Sequence, residues 1–595
     1  MTRRRAIGAE LVDGGVHFRV WAPERQRVAV VIDDRDHPLA REASGHFSGV
    51  VKGARAGTRY RFRLDGEEDA YPDPASRYQP EGPHGPSEVV DPNAFQWGIR
   101  SAAHTIDPRA LVISEIHIGT FTPGGTYLSA IEKLPLLAGA GINMVEVMPV
   151  SEFPGRFGWG YDGVDWFAPA HIYGTPDDFR RFVDAAHAEG VGVILDVVYN
   201  HFGPDGCYWT KYTPEYFTDR YHNDWGEAIN FASEGVREFC AENAAYWIDE
   251  FHLDGLRLDA TQDIHDPTAT HILEDVARAA RAAAPDRTIS IVAENEGQNC
   301  TLIREYGIDA IWNDDWHHSA LVAMGRKPEA YYSDYRGRPQ ELVSMAKRGF
   351  LYQGQWYSWQ KKHRGTSTTG IDVRRFVHYL ENHDQVANTA TGERAYQLTS
   401  PGRYRAMAAL LLLGPETPML FQGQEFASSK PFLYFADHKP ELAAAVRKGR
   451  AEFLSQFPSV RQLAHQLAPP EEVGTFERCK LDWSERETNR EALAFHKELI
   501  ALRRAYPAEV LDGAVLGERV LVLRFKDDRL LIVNLGPEID IDPAAEPLLA
   551  PPDGCKWSLL WSSSSEDFEK WHVPAECAIL LGGRSPITPD HPGRA

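Results

Sequence analysis

From about residue 110 onward, short apolar runs alternate with segments whose apolar positions recur at helical spacing. Residues 175–190 show the helical pattern, with Thr175 as the expected N-cap and Gly190 as the expected stop. Apolar strands that alternate with helices indicate a parallel sheet buried on both faces, and eight of them predict an α/β fold closed into a (β/α)8 TIM barrel. The eight runs are residues 111–119, 142–150, 190–200, 255–260, 289–295, 309–315, 374–382 and 417–426.

The first part of the chain has a different pattern, in which apolar and polar residues alternate over short runs separated by turn residues. This pattern predicts an N-terminal β-sandwich of the carbohydrate-binding or immunoglobulin-like kind over residues 1–92. Trp21, Phe47 and Tyr60 are expected to form its core, with a sugar platform as the alternative. The proline-rich and glycine-rich residues 71–92 end the sandwich.

Short alternating runs return after the helical segment 489–506. We therefore expect the catalytic barrel over residues 93–510 and a small C-terminal β domain over residues 511–595. Residues 427–488 are too long for an ordinary connection between a strand and a helix. They are expected to form part of the wall of the cleft.

Polar and ionisable residues follow several predicted strands at the point where each strand ends. In a (β/α)8 barrel the active site lies at the C-terminal ends of the strands, so these side chains are expected to meet at one face. They are Asn200 and His201 after the third strand, Asp259 after the fourth, Glu294 at the fifth, and His383 with Asp384 after the seventh.

Arg257 and Asp259 lie two residues apart in one strand and should therefore share a face. A guanidinium beside a carboxylate favours its ionised form, which makes Asp259 a candidate nucleophile; a structural ion pair is the alternative. Glycoside hydrolysis also needs a protonated acid. Glu294 follows an apolar run, and burial next to another carboxylate should raise its pKa toward roughly 6. Glu296 is the alternative proton donor.

Asp384 is a third carboxylate, placed where it can hold sugar hydroxyls in the transition state. His201 and His383 are expected to be neutral hydrogen-bonding groups for the same sugar. A metal site is the other interpretation of this cluster. It is weaker because no regularly spaced ligand motif occurs, so we expect neither a metal nor a cofactor.

Composition narrows the range of partners. The 595 residues include 63 basic and 85 acidic side chains, for a net charge of −22. That charge argues against nucleic acid or an anionic membrane as a partner. Basic residues near the N-terminus are not followed by an apolar segment, and no run reaches the length of a transmembrane helix. The cytoplasm is therefore the expected location.

Four short motifs resemble, in order and spacing, those of the α-amylase superfamily of retaining glycoside hydrolases: DVVYNH (196–201), GLRLDA (255–260), AENE (293–296) and ENHDQ (381–385). The resemblance implies Asp259 as the nucleophile, Glu294 as the acid/base and Asp384 as the transition-state stabiliser. It implies that Arg257, His201 and His383 contact the nucleophile or the sugar. Tyr161, in GWGYD (158–162), matches an aromatic residue that stacks on the sugar at the cleavage position. Asp196 matches a largely structural position.

Longer stretches, among them NHFGPDGCYW (200–209), DATQDIHD (259–266) and NDDWHHS (313–319), resemble the trehalose-releasing hydrolases of that superfamily. This resemblance implies malto-oligosyl trehalose and maltodextrins as substrates and a step downstream of a malto-oligosyltrehalose synthase. Glycogen branching enzymes and a non-catalytic glucan-binding barrel are the alternatives. The residues expected to contact the substrate around the leaving trehalose, with second-layer support as the alternative for each, are Asp263, His265, Glu296, Asn299, Trp316, His317 and Gln385.

Overall fold

The computed structural model describes residues 3–98, 110–223, 225–542, 545–565, 568 and 571–584. Its central element is a closed barrel of eight parallel strands in chain order, so the predicted (β/α)8 barrel is confirmed. We number the strands β1 to β8, and each lies within the run predicted for it. They are Ile113–Ile116, Met144–Val147, Gly192–Val197, Gly255–Leu258, Ser290–Ala293, Ala310–Trp312, Phe376–Tyr379 and Thr417–Phe421.

Helices follow the barrel strands along the chain. The predicted helix at 175–190 is Pro176–Ala188; the Thr175 side chain accepts a hydrogen bond from the Asp178 N–H at its start, and Gly190 follows its end with φ +72°. The other helices around the barrel are Ile118–Phe121, Tyr127–Ile131, Leu134–Ala140, Trp209–Tyr212, Glu234–Glu250, Ile272–Ala282, Thr301–Arg304, Asp314–Met324, Pro339–Arg348, His383–Ala387, Pro401–Leu413 and Arg490–Ala505.

The interior of the barrel changes from apolar to ionisable along the strands. Its apolar layer includes Ile113, Met144, Ile194, Val377 and Met419, which form one buried cluster. Alternate residues of a strand share a face, so the side chains two positions further on also point inward. On β1 to β4 these are Glu115, Glu146, Asp196 and Arg257, each at most 2% exposed. The strands therefore bring buried charges to the C-terminal end of the barrel.

The N-terminal β-sandwich is confirmed and consists of two antiparallel sheets. One contains Gly8–Val12, Gly15–Trp21, His46–Lys52 and Ala40–Arg41, and the other contains Arg35–Pro38, Val28–Ile32, Arg59–Leu64 and Ala70–Tyr71, with Ser87–Glu88 paired to Arg59–Leu64. Trp21, Phe47 and Tyr60 are buried in it. They form core, as the alternation predicts, and are not placed as a sugar platform.

The C-terminal β domain is also confirmed. Its main sheet consists, in order, of Val510–Gly517, Val520–Phe525, Arg529–Asn534, Cys577–Arg584 and Lys556–Ser562, and a small ribbon pairs Ile539–Asp540 with His572–Val573. Of the two predicted end domains, residues 1–2, 543–544, 566–567, 569–570 and 585–595 lie outside the described residues. The segment 427–488 contains the helices Pro440–Leu454, Pro458–Gln462, Val473–Arg478 and Glu485–Thr488. Among the described residues, no helix combines the length and the apolar composition needed to cross a membrane.

Candidate active site

Arg257 on β4 is the centre of the ionisable layer. Its side chain is fully buried, and its guanidinium lies over the ring of Trp312 at 4.3 Å. Nη1 donates to Asp196 and to Asp259, each at 2.7 Å, and Nη2 donates to Glu294 at 2.8 Å. The expected placement of Arg257 beside Asp259 is therefore confirmed. One guanidinium joins the candidate nucleophile to the candidate acid.

Asp259 is held from two sides. Arg257 donates to Oδ1, and the Asn200 side chain donates to Oδ2 at 2.8 Å and to the Asp259 carbonyl at 3.1 Å. Hydrogen bonds to the ionised form of a carboxylate favour that form. The next residue, Ala260, has a left-handed backbone with φ +39°, a strained conformation for a residue with a Cβ. That turn directs the Ala260 N–H to Glu294 Oε2 at 3.0 Å.

Glu294 has the properties of a protonated acid. Its side chain is 22% exposed, and the Arg257 and Ala260 donors both contact Oε2, so Oε1 is the oxygen that can carry a proton. Burial raises the pKa of Glu294 to about 8; Arg257 opposes this rise, and the nearby Asp259 and Asp384 carboxylates add to it. The direction matches the expectation from the sequence, whereas the value lies above the expected 6 because burial outweighs the guanidinium.

His383 and Asp384 begin the helix His383–Ala387 directly after β7. His383 contacts Glu115 twice: its Nδ1 lies 2.5 Å from Glu115 Oε1, and its backbone N–H donates to Glu115 Oε2. The other ring nitrogen of His383, Nε2, lies 3.5 Å from Asp384 Oδ2. Burial lowers the pKa of His383, but Asp384 and Glu115 outweigh it and raise that pKa to about 9. The expectation of a neutral imidazole was wrong for His383, because two carboxylates face its ring.

Tyr161 and His201 are neighbours in the site. The Tyr161 hydroxyl donates to Asp196 at 2.7 Å, and its ring stacks on His383 at 5.1 Å. His201 Nε2 lies 2.9 Å from the Tyr161 carbonyl, and the ring lies parallel to Trp225 at 4.5 Å. Burial lowers the pKa of His201 to about 4, so this imidazole is neutral at pH 7, in line with the expectation.

Several expected substrate-contacting residues lie at the rim. Asp263 belongs to the turn Thr261–Asp263 after β4, and the ring of His265 stacks on Tyr221 at 4.7 Å.

The exposed Glu296 accepts a hydrogen bond from Gln360. The Asn299 side-chain oxygen accepts a hydrogen bond of 3.0 Å from the N–H of Thr301, at the start of the short helix Thr301–Arg304. The Gln385 side-chain oxygen accepts from Tyr331 at 2.8 Å and from Tyr332 at 3.1 Å.

The structure does not bring Trp316 or His317 to the cleft. Both belong to the helix Asp314–Met324 and are 2% and 1% exposed. Trp316 stacks on His378 at 4.8 Å, and His317 stacks on Tyr379 at 5.3 Å. The expected sugar contact is thus corrected for both residues, because a helix begins immediately after β6 and turns them toward the protein core. Asn313 followed by two aspartates is the N-cap signal that indicates this helix.

Sequence reasoning missed some residues of the site. Asn200 was placed at the correct strand end but without its contact to Asp259. Glu115 and Glu146 are carboxylates within largely apolar strands, and that interruption is the signal that could have indicated them. Burial raises the pKa of Glu146 well above its ordinary value. Within the part of the chain that the structure describes, no three or more His, Cys, Asp or Glu side chains are grouped so that they could hold a metal ion.

Comparison with known families agrees with this architecture. The alpha-amylase catalytic domain matches residues 92–226, the carbohydrate-binding module 48 (isoamylase N-terminal domain) matches residues 6–94, and a domain of unknown function, DUF3459, matches residues 508–579. Together with the barrel and its ionisable face, these matches define a glycoside hydrolase of the α-amylase type.

Two curated relatives narrow the class. A malto-oligosyltrehalose trehalohydrolase from Deinococcus radiodurans is 39% identical over 555 residues, 90% of this chain and 90% of that one. The chain therefore belongs to the malto-oligosyltrehalose trehalohydrolase family. A family member from Saccharolobus solfataricus is 40% identical over 510 residues, which cover 84% of this chain and 87% of that relative.

Other similarities are partial or concern the fold. A 1,4-alpha-glucan branching enzyme from Corynebacterium jeikeium is 36% identical over 278 residues, 43% of this chain and 39% of that one. The crystal structure of a putative alpha amylase from Salmonella typhimurium superimposes with a TM-score of 0.89 at 35% identity and covers 98% of this chain and 100% of its own. A pullulanase from Paenibacillus barengoltzii superimposes with a TM-score of 0.74 at 19% identity. The match covers 98% of this chain and 94% of the pullulanase chain, and it shows that the two proteins share a fold.

Proposed function

We propose that the enzyme hydrolyses the α-1,4-glucosidic bond next to the terminal trehalose of malto-oligosyl trehalose, and releases trehalose and a maltodextrin. The names of its full-length relatives support the substrate. The observation that carries the chemistry is the Arg257 bridge between two unlike carboxyl groups. Asp259 has both oxygens held by hydrogen-bond donors, whereas the pKa of Glu294 is raised to about 8. Such a pair suits a nucleophile and a proton donor.

The proposed reaction retains the anomeric configuration. Asp259 attacks the anomeric carbon while Glu294 protonates the departing oxygen of trehalose, and a glycosyl-enzyme intermediate forms. Glu294, now ionised, then removes a proton from water, which hydrolyses that intermediate. Asp384 and the protonated His383 hold sugar hydroxyls as positive charge develops on the ring, and Tyr161 stacks on its apolar face. Retention requires the Asp259 and Glu294 carboxyl groups to be about 5–5.5 Å apart.

Residues at the rim of the cleft are proposed to contact the substrate. Asp263, His265, Glu296 and Gln385 are candidates for contacts with the sugar or the leaving trehalose, and His201 supports the loop of Tyr161. We also propose a place in trehalose biosynthesis, downstream of a malto-oligosyltrehalose synthase, in the cytoplasm and without a metal or cofactor. We also propose that the N-terminal sandwich ends at residue 92 and that the C-terminal β domain begins after residue 510.

The test is incubation of the purified enzyme with maltohexaosyl trehalose, followed by chromatography of the products. Free trehalose and maltohexaose are the expected products, and proton NMR should show the new reducing end of the maltohexaose first in the α form. Transfer of the maltohexaosyl unit into an α-1,6 branch would instead indicate a branching enzyme. The absence of trehalose from the products would contradict the proposed function.

A further inference from the structure

The loop that carries Tyr161 has few means of holding its own shape. Residues 154–163, here called the Tyr161 loop, have the sequence PGRFGWGYDG and contain four glycines. Glycine loses more conformational freedom on folding than any other residue, so such a loop is ordered by what packs on it. Residues 432–439 of the long segment after β8, here called the strap, supply that packing.

Backbone and aromatic contacts join the strap to the loop over most of its length. The Asp437 N–H donates to the Phe157 carbonyl at 2.9 Å, and Gly158 forms a β-bridge with Ala436. Trp159 Nε1 donates to the Leu433 carbonyl at 2.9 Å, and its ring lies parallel to Phe432 and edge-on to Tyr434. At Gly155 the fit is tight, because a Cβ there would lie 2.4 Å from the Asp437 carbonyl oxygen.

Three consecutive strap residues each contact an ionisable side chain outside the strap. Asp437 accepts from the backbone N–H and the Nε of Arg156, at 2.9 and 2.8 Å. Lys439 donates to Asp205 at 2.8 Å. Between them, His438 Nε2 lies 3.4 Å from Asp162 Oδ2, and both side chains are more than nine-tenths buried.

The contact of His438 with Asp162 is the one nearest to Tyr161 along the loop. Burial raises the pKa of Asp162, and His438 opposes that rise. Removing one partner of a buried pair leaves the other partner without compensation, which destabilises the conformation that keeps it buried. A movement of Asp162 changes the position of the adjacent Tyr161, whose side chain is held in the site by its Asp196 bond and by ring contacts with His383 and Trp159.

We propose that His438 of the strap is a positioning residue, which acts through Asp162 to hold Tyr161 in the orientation needed for catalysis. The inference rests on the role proposed above for Tyr161. It assigns a catalytic contribution to a segment that none of the α-amylase motifs includes. Loss of positional precision at a reacting centre lowers turnover more than it weakens substrate binding.

The test is a double-mutant cycle of His438→Gln with Tyr161→Ala, in which kcat and KM for maltohexaosyl trehalose are measured at a temperature where each variant is fully folded by circular dichroism. We expect His438→Gln to lower kcat about 10-fold with a smaller change in KM. In the Tyr161→Ala background the same substitution should change kcat less than about twofold, because coupled residues are not additive. Lys448→Ala, at an exposed position of the helix after the strap, is the control and should match the unchanged enzyme.

Equal losses from His438→Gln in both backgrounds would overturn the proposal, as would no loss in either. If His438→Gln does not fold, Asp162→Asn replaces it, since it alters the same His438–Asp162 contact from the side of the loop. Failure of the proposed function would already appear as absence of trehalose with the unchanged enzyme. The cycle would then be measured on the α-glucan that the unchanged enzyme does hydrolyse.

Discussion

Glu115 at the first barrel strand and His383 after the seventh form a buried contact, with 2.5 Å between Oε1 and Nδ1. Burial alone would lower the pKa of His383, but Asp384 and Glu115 raise it from 6.5 to about 9. Since the folded-state pKa is raised, this contact adds stability that is fully present below pH 6.5 and is lost as the pH rises toward about 9. The protonated imidazolium is thus the expected form of His383 at neutral pH.

Replacing Glu115 by glutamine tests this relationship. Glu115→Gln removes one of the two carboxylates that face the ring, so the pKa of His383 should fall clearly below 9. NMR titration of histidine-labelled enzyme measures it directly. Glu132→Gln is the matched control, because Glu132 is 72% exposed on the surface. A His383 signal that titrates near pH 9 in both variants would show that Asp384 alone sets the charge.

The sequence predicts the strands of this site better than its contacts. Each barrel strand is a local apolar run, and a helix such as Pro176–Ala188 carries its own start and stop residues. By contrast, Glu115 and His383 are 268 positions apart, and no local pattern pairs them. The partner of Asp259, Asn200, comes from a neighbouring strand. Such pairs depend on the order and stagger of strands in the closed barrel, which an apolar run does not specify.

The division of roles between the two carboxyl groups predicts two severe variants. Asp259→Asn and Glu294→Gln should each lower kcat by roughly 10³-fold or more, because another side chain cannot take over either role. Circular dichroism should show an unchanged fold. Asp259→Gly with added azide should form a glycosyl azide of the opposite anomeric configuration. A kcat within tenfold of the unchanged enzyme for Asp259→Asn would remove this carboxylate from the mechanism.

The raised pKa of Glu294 predicts the alkaline side of the pH profile. Below about pH 8 its carboxyl group is protonated and can donate to the leaving oxygen, and above that pH it is ionised, so kcat/KM should fall with a midpoint near 8. Asp384→Asn removes a nearby negative charge, so the residual activity should fall at a lower pH. Glu452→Gln, at a 69% exposed position, is the control. An alkaline midpoint that stays in place in Asp384→Asn would contradict this electrostatic coupling.

The burial of Trp316 predicts a loss of stability without a change in specificity. Trp316→Ala leaves a cavity beside His378 and should lower the free energy of unfolding by roughly 3–5 kcal/mol. Its effects on maltosyl trehalose and on maltopentaose should be alike, because the indole lies behind the site. Denaturant unfolding together with kinetics on both substrates measures the two effects. A loss confined to maltosyl trehalose would mean that Trp316 turns into the cleft when substrate binds.

Glu296 should affect specificity rather than stability. It lies exposed after β5, beyond the candidate acid Glu294, where it already accepts a hydrogen bond from Gln360. A site that must distinguish trehalose from a reducing maltose end needs hydrogen bonds that only trehalose completes, and the loss of one typically costs about 1–3 kcal/mol. Glu296→Gln should therefore lower kcat/KM for maltosyl trehalose roughly 10-fold more than for maltopentaose. Glu305→Gln, at an exposed position further along the same connection, should lower neither. Equal losses on both substrates would show that another part of the cleft selects trehalose. One such part is the hairpin of Phe217–Asn223 and Gly226–Ile229.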